Sequence, residues 1–129
     1  MLLTHSTSRF GEYVWELHTP DGASIGRAVA LPGDTILLTQ VTVAADHRGH
    51  GHATRLLHAV CAHFTETPIH VVACPLAGEA PLDRASLRAW YGRHGFTPHP
   101  RRGDPYLMLR KRGTPCTSLH AGRAASSRP

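Results

Sequence analysis

The sequence lacks the features that place a chain in a membrane or in a disulfide-stapled fold. Its 129 residues hold three cysteines, an odd number without close spacing, so we predict free thiols in a reducing cytoplasm. No apolar run approaches the roughly 20 residues of a membrane-spanning helix. The amino terminus has no basic segment followed by a long apolar one, so we predict that the chain has no signal peptide and no membrane partner.

Acidic residues are missing from the last part of the chain. Residues 110–129 carry five arginine or lysine side chains and no carboxylate, which equals the net charge of +5 of the whole chain. The rest of the chain is therefore balanced, whereas nucleic-acid binders usually carry a basic face on the folded domain. We predict one domain at 1–112, a disordered basic tail at 113–129 and no nucleic-acid partner. The alternative is salt-dependent binding of nucleic acid by the tail.

The first 43 residues predict an antiparallel meander of three strands. Alternating or β-branched segments lie at 13–17, 24–31 and 35–43, and proline–glycine turns separate them. The third segment is long and uncharged, which is typical of a central strand with both faces covered. The sequence therefore begins with antiparallel β-structure.

Helical spacing appears after residue 51. Apolar residues recur at intervals of three and four, which predicts one buried helix face: Ala53, Leu56, Leu57, Val60, Cys61 and Phe64. A strand at 69–74, a second helix stopped by Gly95 and strands at 96–98 and 106–109 follow. The predicted class is α+β, a mixed sheet in which the meander is followed by α-β-α-β-β with the helices packed on the sheet.

A glycine-rich turn joins the long strand to the first helix. Gly49 and Gly51 permit positive φ and close approach of a ligand to the backbone. Free amides at a helix amino terminus attract anions, and the helix dipole adds to that attraction. The pattern by itself predicts anion binding, and a tight turn without a ligand is the alternative.

Two segments together resemble the GNAT superfamily of N-acetyltransferases. Residues 48–53, Arg-Gly-His-Gly-His-Ala, match the signature Arg/Gln-x-x-Gly-x-Gly/Ala, and residues 91–96 match Tyr-x-x-x-Gly-Phe. The resemblance covers roughly residues 12–111. It implies acetyl-coenzyme A as co-substrate, with its pyrophosphate on the turn and its pantetheine arm along the preceding strand. The binding residues implied are Val41, Thr42, Val43, Arg48, Gly49, His50, Gly51, His52, Ala53 and Thr54.

The resemblance also implies direct transfer of acetyl to a primary amine, of a small molecule or a protein, in a ternary complex. Tyr91 is the implied acid for the leaving thiolate, a step that suits a phenol; an aromatic core role beside Trp90 is the alternative. A backbone amide in 41–43 is the implied oxyanion donor. The long strand holds no carboxylate, so Glu79 and His70 are the candidate bases.

Eleven histidines raise the possibility of a metal site. His47, His50 and His52 lie close together, and His58, Cys61 and His63 follow on the helix. However, no Cys-x-x-Cys or His-x-x-x-His set with a partner elsewhere is present. We therefore predict no metal.

The chain departs from the family at its beginning. Typical members carry two helices between their first two strands, whereas only a turn at residues 20–22 separates the first two predicted here. Three alternatives follow: an open pocket that takes a bulky or peptide-like amine, a homodimer whose second subunit completes the pocket, or loss of acceptor chemistry. The last would leave a non-catalytic acyl-coenzyme A binding or regulatory module.

Overall fold

The computed structural model describes residues 1–72, 84–98 and 107–114, which form a seven-stranded mixed sheet with two helices packed on it. The strand order across the sheet is β1-β2-β3-β4-β5-β7-β6. The predicted α+β class is confirmed. The elements are β1 Leu2–Thr7, β2 Tyr13–His18, β3 Ser24–Leu31, β4 Ile36–Val43, α1 His52–His63, β5 Ile69–Val72, α2 Arg84–Arg93, β6 Thr97–Pro98 and β7 Leu107–Arg110.

The antiparallel part of the sheet has four strands rather than three. The additional strand β1 pairs with β2 along its whole length at the edge of the sheet. Leu3 is the one partly buried residue of β1, and the other five are exposed, although the His5 ring stacks on the buried Trp15. The prediction of three strands was wrong because an edge strand held mainly by backbone hydrogen bonds needs no apolar alternation.

The long strand β4 lies at the centre of the sheet, as predicted. It pairs antiparallel with β3 and parallel with β5. Ile36 and Leu38 are buried on the side of the helices, whereas Leu37 is 40% exposed. The expectation that both faces of this strand are covered was therefore wrong for this half of the strand.

The first helix covers one face of the sheet through the apolar stripe that the sequence predicts. Leu56, Leu57, Val60 and Cys61 are all buried there. A Cβ at Gly26 of β3 would lie 3.1 Å from the Leu56 side chain. The glycine thus lets α1 approach the strands closely, and this close packing fixes the amino-terminal end of α1 over β3 and β4.

The second helix ends at the predicted glycine stop. The amide of Phe96 donates to the Tyr91 carbonyl and that of Gly95 to the Gly92 carbonyl, the two bonds of a Schellman motif. Gly95 has φ +93°, which glycine adopts without strain. The buried Arg110 of β7 then donates from Nε to the His94 carbonyl at 3.1 Å. These bonds fix the end of the helix that carries Tyr91.

The last two described residues, Gly113 and Thr114, belong to the predicted tail and form hydrogen bonds with the preceding domain. The amide of Gly113 donates to the Thr65 carbonyl at 2.7 Å, and Nη2 of Arg110 donates to the Thr114 carbonyl at 2.8 Å. Cys74, Cys116 and most of the predicted tail lie outside the described residues. In the described ranges, no helix is long and apolar enough to span a membrane.

Candidate functional site

A β-bulge in β4 marks the start of an opening in the sheet. Consecutive residues of β3 pair with Leu38 and Gln40, which leaves Thr39 between them without a β3 partner. Its hydroxyl donates to the Val29 carbonyl at 3.1 Å. Leu38 is also the last residue of β4 that pairs with β5 in the described part of the chain. A bulge bends its strand and interrupts regular pairing, and among the described residues, which reach Val72 in β5, β4 and β5 do not pair beyond this point.

The second half of β4 has one edge without a partner among the described strands. Residues 40–43 pair with β3 on one side, and no described strand pairs with them on the other. Backbone amides and carbonyls along such an edge can accept an extended ligand as an added strand. The predicted strand residues Val41, Thr42 and Val43 lie on this edge, so the structure places them beside the opening.

The glycine-rich turn lies at the end of the same strand. Gly49 has φ +83° and Gly51 has φ +81°, so both adopt the left-handed conformation that glycine favours. A Cβ at either position would meet nothing within 4 Å. The turn is therefore shaped by the glycines and open on its outer side, and its backbone is accessible to a ligand.

The first turn of α1 presents free backbone amides. Gly51 is the N-cap of α1 and supplies no side-chain hydrogen bond to the helix. The first intrahelical bond runs from the Arg55 amide to the Gly51 carbonyl at 3.0 Å. The amides of His52, Ala53 and Thr54 precede it, and a helix leaves such donors unpaired. Together with the helix dipole they form an anion-binding end.

Two side-chain contacts hold this turn in place. The guanidinium Nε of Arg48 donates to the Val43 carbonyl at 2.9 Å, which ties the turn back to the last residue of β4. The indole Nε1 of Trp90 donates to the Thr54 hydroxyl at 3.4 Å, which ties α2 to the first turn of α1. The motif arginine thus braces the backbone, and the hydroxyl of Thr54 is engaged by α2.

Basic side chains surround the turn. The His50 and His52 rings are stacked with centroids 5.9 Å apart, and the His47 and His52 centroids are 6.5 Å apart. The pKa of His52 is lowered, through desolvation first and then through the positive neighbours His50, His47, Arg55 and the amino group of Met1. Arg55 and the amino group of Met1 therefore add positive charge near the turn, which suits an anion.

Tyr91 lies in the core at the interface of the two helices. It is 5% exposed, and its ring packs edge-on against Trp90 and Phe96. Burial raises the pKa of the phenol, with a smaller contribution from Cys61 of α1. The phenol is therefore fully protonated at neutral pH.

The two candidate bases differ in what the structure shows. His70 lies in β5 between Ile69 and Val71, which are buried on the side of the helices. Alternation along a strand therefore directs His70 to the opposite face. Its partner in β4 is Leu37, one residue before the opening begins. The structure thus places Tyr91 and His70 on opposite faces of the sheet, while Glu79 lies outside the described residues.

The histidines do not form a metal centre in the described ranges. No group of three or more His, Cys, Asp or Glu side chains there is arranged to hold a metal ion. Cys61, which the sequence placed in the helical histidine group, is buried in the core.

The short connection between the first two strands, which stands where typical family members have two helices, lies at a different place from the one predicted. Because β1 precedes β2, the connection between the first two strands is residues 8–12 rather than 20–22. The Ser8 amide donates to the Glu12 carbonyl and its hydroxyl accepts from the Phe10 and Glu12 amides, so this link is a closed turn. It leaves no room for two helices.

Sequence reasoning missed the bulge and the contacts that hold the turn. Thr39 carries no local signal for a bulge, because the bulge is defined by the register of β3 against β4. The Trp90–Thr54 contact joins residues 36 positions apart, so no local pattern indicates it.

The comparisons with known proteins agree with this geometry. A family model described as "Acetyltransferase (GNAT) family" matches residues 7–96. None of the curated proteins matches the chain.

Solved structures show the same fold at low sequence identity. The structure of histone acetyltransferase HPA2 and related acetyltransferase from Corynebacterium glutamicum has a TM-score of 0.63 at 18% identity over 81% of this chain. The PaiA N-acetyltransferase of Thermoplasma acidophilum, in complex with coenzyme A, has 0.57 at 12% over 78%. Tetrahymena GCN5 has 0.57 at 14% over 76%. The chain spans 66%, 60% and 66% of those three proteins, less than two thirds of each.

Proposed function

The chain belongs to the GNAT family of acetyltransferases, and on that premise we propose that it transfers acetyl from acetyl-coenzyme A to a primary amine. The observation that carries the proposal is the turn itself. Gly49 and Gly51 leave the backbone open, and the uncapped amides of α1 lie at the end of the separated strand β4. A coenzyme A complex of the same fold supports this choice of anion.

The backbone provides most of the contacts to the co-substrate in this proposal. The amides of Gly49 and Gly51 and of the first turn of α1 hold the pyrophosphate. The free edge of β4 takes the pantetheine arm as an added strand. A backbone amide in residues 41–43 donates to the thioester carbonyl as negative charge develops on its oxygen.

The chemical step uses groups on the two faces of the sheet. The amine nitrogen attacks the thioester carbon, the new C–N bond forms and the C–S bond breaks. The sulfur takes the proton of the Tyr91 phenol, and the amine loses a proton to a base, for which His70 or Glu79 is proposed. The raised pKa of Tyr91 is compatible with this transfer because desolvation beside the phenol also makes the thiolate more basic.

A non-catalytic acyl-coenzyme A binding module is the second candidate. The observation that favours it is the five-residue turn at 8–12, which replaces the helices that form much of the acceptor pocket in typical members. The enzyme proposal is compatible with this short turn if the pocket is open and takes a bulky or protein amine, or if a second copy of the chain completes the pocket. All of these share coenzyme A binding and differ in turnover.

The test measures binding and turnover separately. Calorimetry gives coenzyme A binding, and thiol release gives turnover with a panel of small and peptide amines. We expect Tyr91→Phe to lower kcat by about 100-fold with little change in KM for acetyl-coenzyme A, since a positioned acid typically contributes 10²–10⁴. Tyr13→Phe is the matched control, because Tyr13 stacks on Phe64 in a separate aromatic group. We expect it to retain full turnover.

The outcomes separate the two candidates. Binding of coenzyme A without turnover of any amine would reject the enzyme proposal and support the binding module. No binding of coenzyme A would remove both. Equal turnover by wild type and Tyr91→Phe would leave the transferase in place and remove Tyr91 as the acid.

A further inference from the structure

Three histidine rings lie close together at the glycine-rich turn, although the shape of the turn requires only its glycines. His50 and His52 are stacked, and the His47 ring lies 6.5 Å from the His52 ring. The Nδ1 of His50 lies 3.3 Å from the His47 carbonyl oxygen, to which it donates when that nitrogen carries the proton. His50 and His52 flank Gly51 in the sequence, and a Cβ at Gly49 or Gly51 would meet nothing within 4 Å, so the backbone beside the two histidines is open.

The charges around His52 come from every element at the turn and are mostly positive. The 3₁₀ turn Ala45–His47 supplies His47 and the carboxylate of Asp46, the glycine turn supplies Arg48 and His50, and α1 supplies Arg55. The amino group of Met1 adds a further positive charge from β1, and α2 contributes the uncharged indole of Trp90. A protonated imidazole here is repelled when the turn is empty, and an anion in the turn would reverse that effect.

We propose that His50 and His52 bind the pyrophosphate of the co-substrate through their protonated side chains, so that binding takes up protons and tightens as the pH falls. The inference rests on the proposed function, since it names side chains that act in the same site. An adjacent anion favours the charged imidazole, and linkage then requires affinity to rise as the pH falls through the pKa of the bound state.

The direction of the pH dependence of binding follows from the protonation of His52 when the turn is empty. Desolvation first, and then the positive neighbours, hold the pKa of His52 below its usual value of about 6.5, so the empty protein binds its proton only at lower pH. The bound state gains the proton at higher pH. Between these two values proton uptake is largest, and below both the affinity reaches a plateau.

The experiment uses the full chain and 3′-dephospho-coenzyme A as the probe. The 3′-phosphate of coenzyme A titrates near pH 6, which would confuse the readout, whereas the diester pyrophosphate keeps its charge from pH 6 to pH 8. Calorimetry in two buffers of different ionisation enthalpy counts the protons taken up. We expect binding about five- to tenfold tighter at pH 6.0 than at pH 8.0, the effect of a pKa rise of about one unit on binding.

Matched variants distinguish a side-chain role from a structural one. His50→Asn combined with His52→Asn removes the titrating groups and keeps polar side chains at the turn. We expect the gap in affinity between this variant and wild type to widen as the pH falls, and its proton uptake to vanish. His63→Asn is the control, since His63 ends the same 12-residue helix, about 16 Å away at 1.5 Å per residue. We expect it to keep the wild-type pH dependence.

Two results would overturn the inference while the proposed function stands: wild-type affinity within twofold at both pH values with no proton uptake, or full pH dependence in the double variant. Failure of both coenzyme A and the probe to bind at either pH would remove the proposed function, and this inference with it. Binding without turnover affects only the catalytic proposal.

Discussion

Replacing Gly51 by alanine tests whether the turn serves a ligand or only the fold. Gly51 has φ +81°, and a Cβ there would meet nothing within 4 Å, so the protein pays for alanine through backbone strain alone. That strain is about 1–2 kcal/mol for an L-residue in the left-handed region. For a domain of this size, each kcal/mol lowers Tm by about 3–5 °C.

Gly22→Ala is the matched control for this strain. Gly22 has φ +95° in the turn between β2 and β3, and a Cβ there also meets nothing within 4 Å. Both variants should therefore lose similar stability. Only Gly51→Ala should weaken coenzyme A binding, because relaxing its φ would rotate the amides that are proposed to hold the pyrophosphate. Loss of one hydrogen bond to a charged group, about 1.5–3 kcal/mol, weakens binding about 10- to 100-fold.

The two assays are thermal unfolding and calorimetric titration with coenzyme A. Measuring affinity well below the melting temperature of both variants separates strain from ligand contact. If Gly51→Ala binds coenzyme A as tightly as Gly22→Ala does, the turn does not present its amides to the ligand and the reasoning is refuted.

Other predictions concern the end of α2 and the response to pH. Arg110→Met leaves the His94 and Thr114 carbonyls without their donor and should cost about 2–4 kcal/mol in urea unfolding; a loss below about 1 kcal/mol would show that the clamp is dispensable. Gly95→Ala should cost about 2 kcal/mol or more through its φ of +93° and a Cβ contact of 2.8 Å with the Thr114 methyl group, and Thr114→Ser should recover part of that loss; equal losses in both backgrounds would contradict the contact. The pKa of His94 is lowered by desolvation first and then by Arg93, His58 and Arg110. As the pH falls, the unfolded chain therefore takes up this proton before the folded protein does, and Tm should fall from pH 7.5 to 5.5. His94→Gln should flatten this dependence of Tm on pH, and an unchanged dependence would mean that other groups cause it.

Local chemistry allowed much of the fold to be predicted. The bounds of β3, the start of α1 after Gly51 and the stop at Gly95 follow from alternation, helical spacing and the need for positive φ. These signals act within a few residues, so they are readable without the fold. The edge strand β1 gave no such signal because its side chains are exposed and its partner is β2.

Some features of the candidate site could likewise be predicted from local sequence, and others could not. Two short motifs indicated the family and the turn, and the family match over residues 7–96 agrees with them. The burial of Tyr91 and the position of His70 on the other face could not be predicted, because each depends on neighbours from distant parts of the chain. Whether either takes part in chemistry stays a prediction.

The sequence by itself determined where the backbone turns and which segments bury an apolar face. Glycine at 49 and 51 is needed for positive φ, and the spacing in α1 follows from the pitch of a helix. Only the tertiary structure decided that β4 bulges at Thr39 and that its pairing with the described part of β5 ends at Leu38. The physical reason is that register and strand separation come from pairing between segments far apart in the chain, whereas turns and periodicity are properties of neighbouring residues.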